Sequence, residues 1–500
     1  MMSWSVVSLL VVGVEALARP SSQLRATPRP PAQEAVPKRE MLRFYGPALG
    51  IFLANPLMSN IDNAIVGRAA GVEALAALSP GTVLSDQVLF LFSFLGRATT
   101  GLVSRANAKS GISGARDELR RPLAFAFAIG VGLLVPMYVL ATPAVLGALR
   151  VAPELKPPAA AYARIRGVAA PLALCQSVAL SALLALRDAA TPLRVVLGAA
   201  ALNLVGDLAL CCWPLQLGVS GAAAATSAST AAGAYMMLRA LRNRGMLDDD
   251  LWWRDYLSPR RFTALKRELG PLFSYAGPLS AIVVTRLLGF AAMQVCAASF
   301  GTQHLAAYQI ALNVFVLFAF FAEPLSQTAQ AVCPPLVDGQ NALALAKTIL
   351  NLATLALLIG PLVAAACATF LRLAAPAMTS DPGVLEVVKG TIPAVFATVL
   401  QLFLTTTLDG CIVGARDFKW IVGTGTCTCV LQLAALRAIA SRDFVIFPPL
   451  ALIFSTFTAR LFVYALASTV RVLLGFGPLG RALRPRYAPV DQKNALATSC

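Results

Sequence analysis

Apolar runs of about 20 residues recur along most of the chain, and short polar segments separate them. A helix needs this length to cross the hydrocarbon core of a bilayer, and runs this long satisfy their backbone in lipid only as helices. From Phe44 onward the pattern predicts twelve membrane-spanning helices, centred near residues 55, 90, 132, 172, 203, 228, 282, 317, 357, 400, 429 and 458. The predicted fold class is an all-α polytopic membrane protein.

A charged connection at residues 241–268 divides the twelve predicted spans into two groups of six. We therefore expect an N-terminal six-helix bundle at residues 41–240 and a C-terminal six-helix bundle at residues 269–473. A targeting or disordered segment, residues 1–40, precedes the first bundle, and a polar tail, residues 474–500, follows the second.

The two halves repeat one another in sequence. Three short strings of the first half recur in the second half at offsets of 229 to 231 residues. The pairs are Gly46-Pro47 with Gly277-Pro278, Leu75-Ala76-Ala77 with Leu305-Ala306-Ala307, and Arg187-Asp188 with Arg416-Asp417. Because each half holds an even number of spans, both halves enter the membrane from the same side. The repeats are therefore parallel, an arrangement that occurs in secondary transporters.

The basic residues are concentrated in polar segments on one side of the predicted membrane, including the connection at residues 241–268. Positive residues accumulate in cytoplasmic loops, so both chain ends are expected to face the cytoplasm, or the stroma in a plastid membrane. This distribution accounts for the net charge of +17 without a nucleic-acid partner. The composition, 58% hydrophobic and 13% charged, excludes a soluble protein and makes the lipid bilayer a partner.

The N-terminal segment has the composition of a targeting sequence. Residues 1–18 have an apolar centre and end in Ala16-Leu17-Ala18, which fits a short secretory signal with a cleavage site better than a spanning helix. Residues 19–40 are rich in Arg, Pro and Ser, as transit-like or plainly disordered segments are. A signal followed by a transit-like segment would suit a plastid of secondary origin. The plastid envelope is thus one expected location, and the plasma membrane or an endomembrane is the alternative.

Polar groups within three of the predicted spans indicate a cation site. Asn203 and Asp207 are four residues apart and share one helix face. A carboxylate in the bilayer core costs roughly 2.5–3.5 kcal/mol on insertion scales, so it is rarely kept without a use. Asp62, Asp207 and Thr226 share a depth, roughly 7–13 Å below the outer surface. The alternative is that Asp207 only bonds Asn203 and a neighbouring helix as a structural contact.

The chemistry of these groups limits the ion that they could hold. Oxygen ligands alone suit a proton or a hard cation such as sodium rather than a transition metal. The 10 cysteines show no CxxC pair and no metal-ligand spacing. Apart from a coupling proton or sodium ion, we expect no cofactor and no metal.

Five strings in the chain resemble motifs of a known family. They are P-L-x-x-x-x-D-x-x-x-x-G from Pro56 to Gly67, D-x-x-T-P-L from Asp188 to Leu193, N-x-x-x-D at Asn203 and Asp207, G-V-S-G-A-A-x-A-T from Gly218 to Thr226, and L-D-G-x-x-x-G-A-x-D-F-K from Leu408 to Lys419. Over about residues 41–440 the chain resembles the multidrug and toxic compound extrusion (MATE) transporters. It is most similar to the branch named for the bacterial DNA-damage-inducible protein F, which includes plant plastid-envelope members.

The resemblance implies a V-shaped pair of six-helix bundles around a central cavity, which moves substrates outward in exchange for protons or sodium ions. In the best-matched branch the cation site lies in the N-terminal bundle. Carried over residue by residue, it becomes Asp62, Asn203, Asp207 and Thr226. The expected function is a proton- or sodium-coupled antiporter, acting as a monomer, that exports organic or xenobiotic compounds or metabolites.

Other polar residues within the spans are candidates for the substrate cavity. Glu323, Gln327 and Gln330 lie on related faces of one span in the second bundle, and Asp86 lies in the first. Arg286, in the seventh predicted span, is the expected counter-ion of Glu323.

Two other functions fit parts of the sequence. A lipid-linked oligosaccharide flippase of the related superfamily would need a cationic cavity for pyrophosphate, for which the predicted spans offer Arg97, Arg286 and Arg460. A membrane-embedded enzyme would need clustered aspartates facing the membrane or several histidines. The one Asp cluster, residues 248–250, lies in a polar connection, and the chain has 1 His. We therefore predict a transporter and no enzymatic activity.

Overall fold

Helices account for the regular structure of this computed structural model, which describes residues 34–69, 71–148, 151–212, 215–247, 270–441 and 448–484. In chain order the helices are α1 Lys38–Ala69, α2 Gly71–Leu91, α3 Phe94–Ile129, a π-helical turn Gly130–Leu134, α4 Val135–Leu140, α5 Thr142–Ala148, α6 Lys156–Val168, α7 Ala170–Ala185, α8 Ala190–Cys211, α9 Gly218–Arg242, α10 Gly270–Ala298, α11 Thr302–Ala319, α12 Glu323–Asp338, α13 Ala342–Met378, α14 Pro382–Gly414, α15 Phe418–Ala440, α16 Pro449–Leu473 and α17 Gly477–Leu483. No strand occurs among the described residues.

Each of the twelve predicted span centres falls within these helices. Eight spans are single helices, namely α1, α8, α9, α10, α13, α14, α15 and α16. The other four are built from consecutive helices: α2 with the first part of α3, the rest of α3 with α4 and α5, α6 with α7, and α11 with α12. Gly111, with a φ of 64°, interrupts the helical backbone of α3 between the second and third spans, a conformation that glycine adopts without steric cost.

By length and hydropathy, eight described helical segments are able to cross a membrane, or nine if α6 and α7, bent by 51°, form one span. One of the eight, Ala76–Leu140, covers both the second and the third predicted spans. Helices α1 and α9 are not among these segments, because α1 carries Asn60 and Asp62 and α9 is rich in Gly, Ser and Thr. These polar residues, which include the site candidates Asp62 and Thr226, lower the mean hydropathy of the two helices.

The backbone repeats between the two halves at the Arg-Asp strings. Arg187 and Arg416 both adopt left-handed conformations, with φ values of 60° and 61°. Each precedes an Asp and then a new helix, α8 after Asp188 and α15 after Asp417. The Asp188 carboxylate accepts a hydrogen bond from the Thr191 backbone N–H at 3.1 Å, which satisfies one of the free donors at the start of α8. A non-glycine residue with positive φ is uncommon, so its recurrence at the same register supports the parallel repeat.

The structure describes only part of the predicted N-terminal segment, of the connection between the halves and of the C-terminal tail. Residues 1–33 of the predicted targeting segment and residues 248–268 of the predicted connection lie outside the described residues. The predicted polar tail differs from the structure where it is described, because its first residues include helix α17, whose Leu479 and Leu483 are buried. These leucines pack against the C-terminal half, so the apolar core extends past residue 473.

The two halves contact one another at the end of the molecule predicted to face inward. The Ser104 hydroxyl of α3 donates to the Ala331 carbonyl of α12 at 2.6 Å, and Arg105 Nε donates to Asp338 Oδ2 at 2.9 Å. At the start of the described chain, the Val36 carbonyl accepts from Asn351 Nδ2 at 2.9 Å. A cavity of about 250 Å³ lies at this inner contact, lined by residues of both halves that include Glu40, Arg43, Thr328 and Val332.

Gly410 lies where α14 crosses α12, and it generates a prediction about stability. A Cβ atom at this position would lie 2.6 Å from the Ser326 backbone oxygen. We expect Gly410→Ala to lower the free energy of unfolding by about 1–3 kcal/mol through overpacking, seen as a lower melting temperature of the purified protein in detergent. Gly423→Ala is the control, because no atom lies within 4 Å of its built Cβ. Equal melting temperatures for the two variants would contradict the predicted overpacking.

Candidate cation site

One amide nitrogen connects two carboxyl groups inside the N-terminal half. Asn203 Nδ2, on α8, donates to Asp62 Oδ1 of α1 at 2.8 Å and to Asp207 Oδ2, one turn further along α8, at 3.2 Å. Three of the four residues expected to form a cation site are therefore in direct contact. The two carboxylate oxygens lie no more than about 6 Å apart, because both accept from the same nitrogen.

This cluster is largely removed from solvent. Asp207 is 0% exposed and Asn203 is 4% exposed, whereas Asp62 is half-buried. Asp207 Oδ1 is buried and has no hydrogen-bond partner among the described residues. An unpaired buried carboxylate oxygen is costly, and it is the kind of atom that binds a proton or a hard cation.

Close helix packing brings these groups together. A Cβ atom at Gly206 of α8 would lie 2.9 Å from Ala225 Cβ of α9, and one at Gly221 of α9 would lie 2.7 Å from the Leu210 carbonyl oxygen of α8. Small residues at a helix interface allow the two backbones to approach each other. The glycine- and alanine-rich sequence of α9 thus positions its hydroxyl groups against the polar face of α8.

Ser229, rather than Thr226, makes the contact from α9. Ser229 is 6% exposed, and its hydroxyl shares one proton between Asn203 Oδ1, at 3.2 Å, and the Thr226 carbonyl of its own helix, at 2.9 Å. The Thr226 hydroxyl instead donates to the Ala222 carbonyl of its own helix at 2.8 Å. The partners of the Asn203 amide determine its orientation, since the carboxylates accept from Nδ2 and the Ser229 hydroxyl lies beside Oδ1. The sequence signal for Ser229 is its position three residues after Thr226, on the same helix face.

The Arg166 guanidinium supplies positive charge beside this cluster. Arg166, on α6, is within electrostatic range of Asp62, and its Nη2 lies 3.1 Å from Asp86 Oδ1. Asp86, expected to face the substrate cavity, thus forms an ion pair within the N-terminal half, with 55% of its side chain exposed. Asp62, Asp207 and Asp86 outnumber Arg166, so the cluster lacks positive charge when all three carboxylates are ionised.

The Glu323 carboxylate in the C-terminal half pairs with Arg97, not with Arg286. Arg97 Nη2, from α3, lies 3.7 Å from Glu323 Oε1, and its Nη1 lies 4.0 Å from Asp409 Oδ2. The expectation that Arg286 is the counter-ion of Glu323 is wrong, because Arg97 reaches across from the other half of the protein. Asp409 also accepts a hydrogen bond from the Tyr464 hydroxyl at 2.8 Å.

The two glutamines expected in the substrate cavity differ in burial. Gln330 is 0% exposed and donates to the Ser326 hydroxyl at 3.1 Å, so it lies in the protein interior and not on a cavity wall. Gln327 is half-buried and stays a prediction. Among the described residues, no group of three or more His, Cys, Asp and Glu side chains could hold a metal ion.

The MatE family model matches residues 47–208 and 278–435. Protein DETOXIFICATION 47, chloroplastic, from Arabidopsis thaliana is 32% identical over 391 residues, which cover 77% of this chain and 69% of that protein. Protein DETOXIFICATION 44, chloroplastic, from the same plant is 27% identical over 304 residues. The match covers 59% of this chain and 56% of that relative, so the chain spans just over half of its length.

Solved transporter structures share the fold. The chain superposes on the Vibrio cholerae MATE transporter VcmN with a TM-score of 0.77 and 17% identity, covering 95% of this chain and 98% of that one. On a MOP superfamily transporter from Pyrococcus furiosus the TM-score is 0.72 with 18% identity, covering 92% and 96%. These likenesses confirm the predicted twelve-helix all-α membrane fold.

The fold and its buried polar groups define a multi-span membrane transporter. The family model and the DETOXIFICATION 47 match assign it more closely: the chain belongs to the MATE family. The resemblance inferred from the sequence motifs is confirmed, including the plastid-type relatives.

The bridging amide generates a prediction that a double-mutant cycle tests. We expect Asp62→Ala and Asn203→Ala to be coupled by about 0.5–3 kcal/mol in the free energy of unfolding, because each removes the partner of the other. The measurement is denaturation of the single and double variants in detergent. Asp62→Ala with Gln432→Ala is the control pair, because Gln432 lies in the C-terminal half and is bonded to other groups. Additive effects for Asp62 and Asn203 would show that their hydrogen bond contributes nothing.

Proposed function

We propose that the protein is a proton- or sodium-coupled antiporter that exports an organic solute. The observation that carries this proposal is the pair of carboxylates, Asp62 and Asp207, that accept hydrogen bonds from one Asn203 amide within a transmembrane bundle. A transporter of this family needs a group that can gain and lose a cation, and this cluster supplies it.

The charge of the pair supports a site for one positive ion. The two oxygens lie no more than about 6 Å apart, so at an effective dielectric constant of about 20 two ionised carboxylates repel each other by roughly 3 kcal/mol or more. A proton on one carboxylate, or a sodium ion between the two, removes this repulsion. The Asp207 Oδ1 atom, which has no partner among the described residues, is the oxygen that would receive it. Oxygen ligands of this kind accommodate either ion.

Helix α1 could transmit the binding event between the two halves. It carries Asp62 toward its outer end, and near its inner end the Tyr45 hydroxyl donates to the Phe321 carbonyl of the C-terminal half at 2.9 Å. Pro47 and Pro56 lie between these ends and each removes a backbone hydrogen bond from the helix. The hydrogen bonds between halves lie toward the inner end, which is the arrangement of an outward-open state. Uptake of a cation at Asp62 would bend α1 and weaken this inner contact.

The plastid envelope is the membrane that we propose for this transporter. Both named plant relatives are chloroplast proteins. The first 40 residues have the composition expected of a signal followed by a transit-like segment. Export would then carry the solute from the stroma, the side on which the basic loops are expected to lie.

Gradient-driven transport in proteoliposomes tests the proposed coupling. One pH unit supplies about 1.36 kcal/mol per proton, enough for roughly tenfold accumulation of a solute, and a sodium gradient tests the other ion. We expect wild-type protein to accumulate a fluorescent organic cation or an aromatic acid under one of these gradients. Asp62→Asn and Asp207→Asn should leave the solute equilibrated, because neither variant can exchange the coupling ion.

The control for these variants is Asp117→Asn, which removes the same charge from an exposed position on α3. It should transport like the wild type, and ATP without a gradient should drive no accumulation. Full coupled transport by Asp62→Asn and Asp207→Asn would reject the proposed site, and transport driven by ATP alone would reject the antiporter.

A further inference from the structure

Two arginines lie at the middle of spans in the C-terminal half without a carboxylate partner. Arg460, on α16, donates from Nη1 to the Thr285 carbonyl of α10 at 3.1 Å and to Gln432 Oε1 of α15 at 3.0 Å. Arg286 follows Thr285 on α10 and lies within electrostatic range of Arg460. Among the described residues, the ion pairs involve neither arginine. Three helices thus converge on two positive charges.

The nearby carboxylates do not balance these charges. Asp409 is within electrostatic range of Arg286, but it already accepts from the Tyr464 hydroxyl and lies 4.0 Å from Arg97. Glu323 is paired with Arg97. Arg97 and Arg286 thus lie near these two carboxylates, and no carboxylate among the described residues is paired with Arg460. A guanidinium at the bilayer centre costs roughly 2.5–3.5 kcal/mol on insertion scales, so an uncompensated one calls for a function.

Gln432 adds a donor without an acceptor. It is 2% exposed, and its Nε2 atom has no hydrogen-bond partner among the described residues. The orientation of this amide is determined by Arg460, since the guanidinium can only donate and therefore must face Oε1. The free NH₂ group of Gln432 and the two guanidinium groups thus form a cluster with more hydrogen-bond donors than acceptors.

Gly289 allows Arg460 to lie against α10. A Cβ atom at Gly289 would lie 2.6 Å from Arg460 Nη1 and 2.9 Å from Gln432 Oε1. The guanidinium is therefore held close to the helix backbone by packing as well as by hydrogen bonds. Arg460 and Arg286 are both only half-buried, whereas Gln432 is fully buried, so the two arginines form the more exposed side of the cluster.

We propose that Arg286, Arg460 and Gln432 bind the carboxylate of an organic anion, which is the exported solute. This proposal rests on the proposed antiport function and names its substrate class. A guanidinium binds a carboxylate through two parallel hydrogen bonds, which gives orientation as well as charge complementarity. The N-terminal half would then bind the coupling cation, and the C-terminal half would bind the anion that moves in exchange.

Binding of benzoate to the purified protein tests this site without a gradient. We expect isothermal titration to show benzoate binding to the wild type and at least tenfold weaker binding to Arg286→Gln and Arg460→Gln. Arg437→Gln, an exposed arginine on α15, is the matched control and should bind like the wild type. Tetraphenylphosphonium, an organic cation, should not compete with benzoate. Inorganic pyrophosphate, an anion that guanidinium groups also bind, is the comparison that separates a carboxylate site from a phosphate site.

Gln432→Glu separates a binding role from a structural one. It places a carboxylate beside Arg460, so the melting temperature should rise while benzoate affinity falls at least tenfold. Undiminished benzoate binding by Arg460→Gln and Gln432→Glu would overturn the proposal, as would a wild type that binds pyrophosphate or tetraphenylphosphonium in preference to benzoate. Asp62→Asn should bind benzoate normally although its coupled transport is lost, which distinguishes failure of this site from failure of the proposed coupling.

Discussion

The hydrogen bonds from a single Asn203 amide to two carboxylates are the constraint on which the rest of the structure depends. Without Asn203, the half-buried Asp62 on α1 and the buried Asp207 on α8 would lose the donor that they share. The amide limits their separation, and the Ser229 hydroxyl contacts the other end of the amide. Helices α8 and α9 approach each other closely at Gly206 and Gly221, and this approach brings Ser229 within hydrogen-bonding distance of Asn203.

The intramembrane charges are divided unequally between the two halves. Around the candidate cation site, Asp62, Asp207 and Asp86 outnumber the neighbouring Arg166. In the C-terminal half, Arg97, Arg286 and Arg460 outnumber Glu323 and Asp409. Arg97 belongs to α3 yet pairs with Glu323, so the two charge systems meet at the contact between halves. A protein that exchanges a cation for an anion-bearing solute would need this division, since each half then carries the charge opposite to that of its ligand.

The sequence predicted the helices and the pairing of Asn203 with Asp207 from local rules, and it grouped Asp62 with them by depth and by the family resemblance. Apolar runs give the spans, and the four-residue spacing of Asn203 and Asp207 places them on one helix face. The rest depends on side-chain direction and on distant contacts. A hydroxyl in a helix can turn back to its own carbonyls, as Thr226 does, and sequence does not distinguish it from Ser229. Likewise, the spacing of residues along the sequence does not indicate that Arg97 of the N-terminal half pairs with Glu323 of the C-terminal half.

The most direct test of the central claim is the dependence of melting temperature on pH and on sodium concentration, compared between the wild type and the Asp62→Asn/Asp207→Asn double variant. An ion that binds only the folded state stabilises it in proportion to RT ln(1 + [L]/Kd). The account predicts that the wild type melts at a higher temperature as either protons or sodium ions are added, and that the double variant loses this dependence. A double variant with the same dependence on both ions as the wild type would contradict the account.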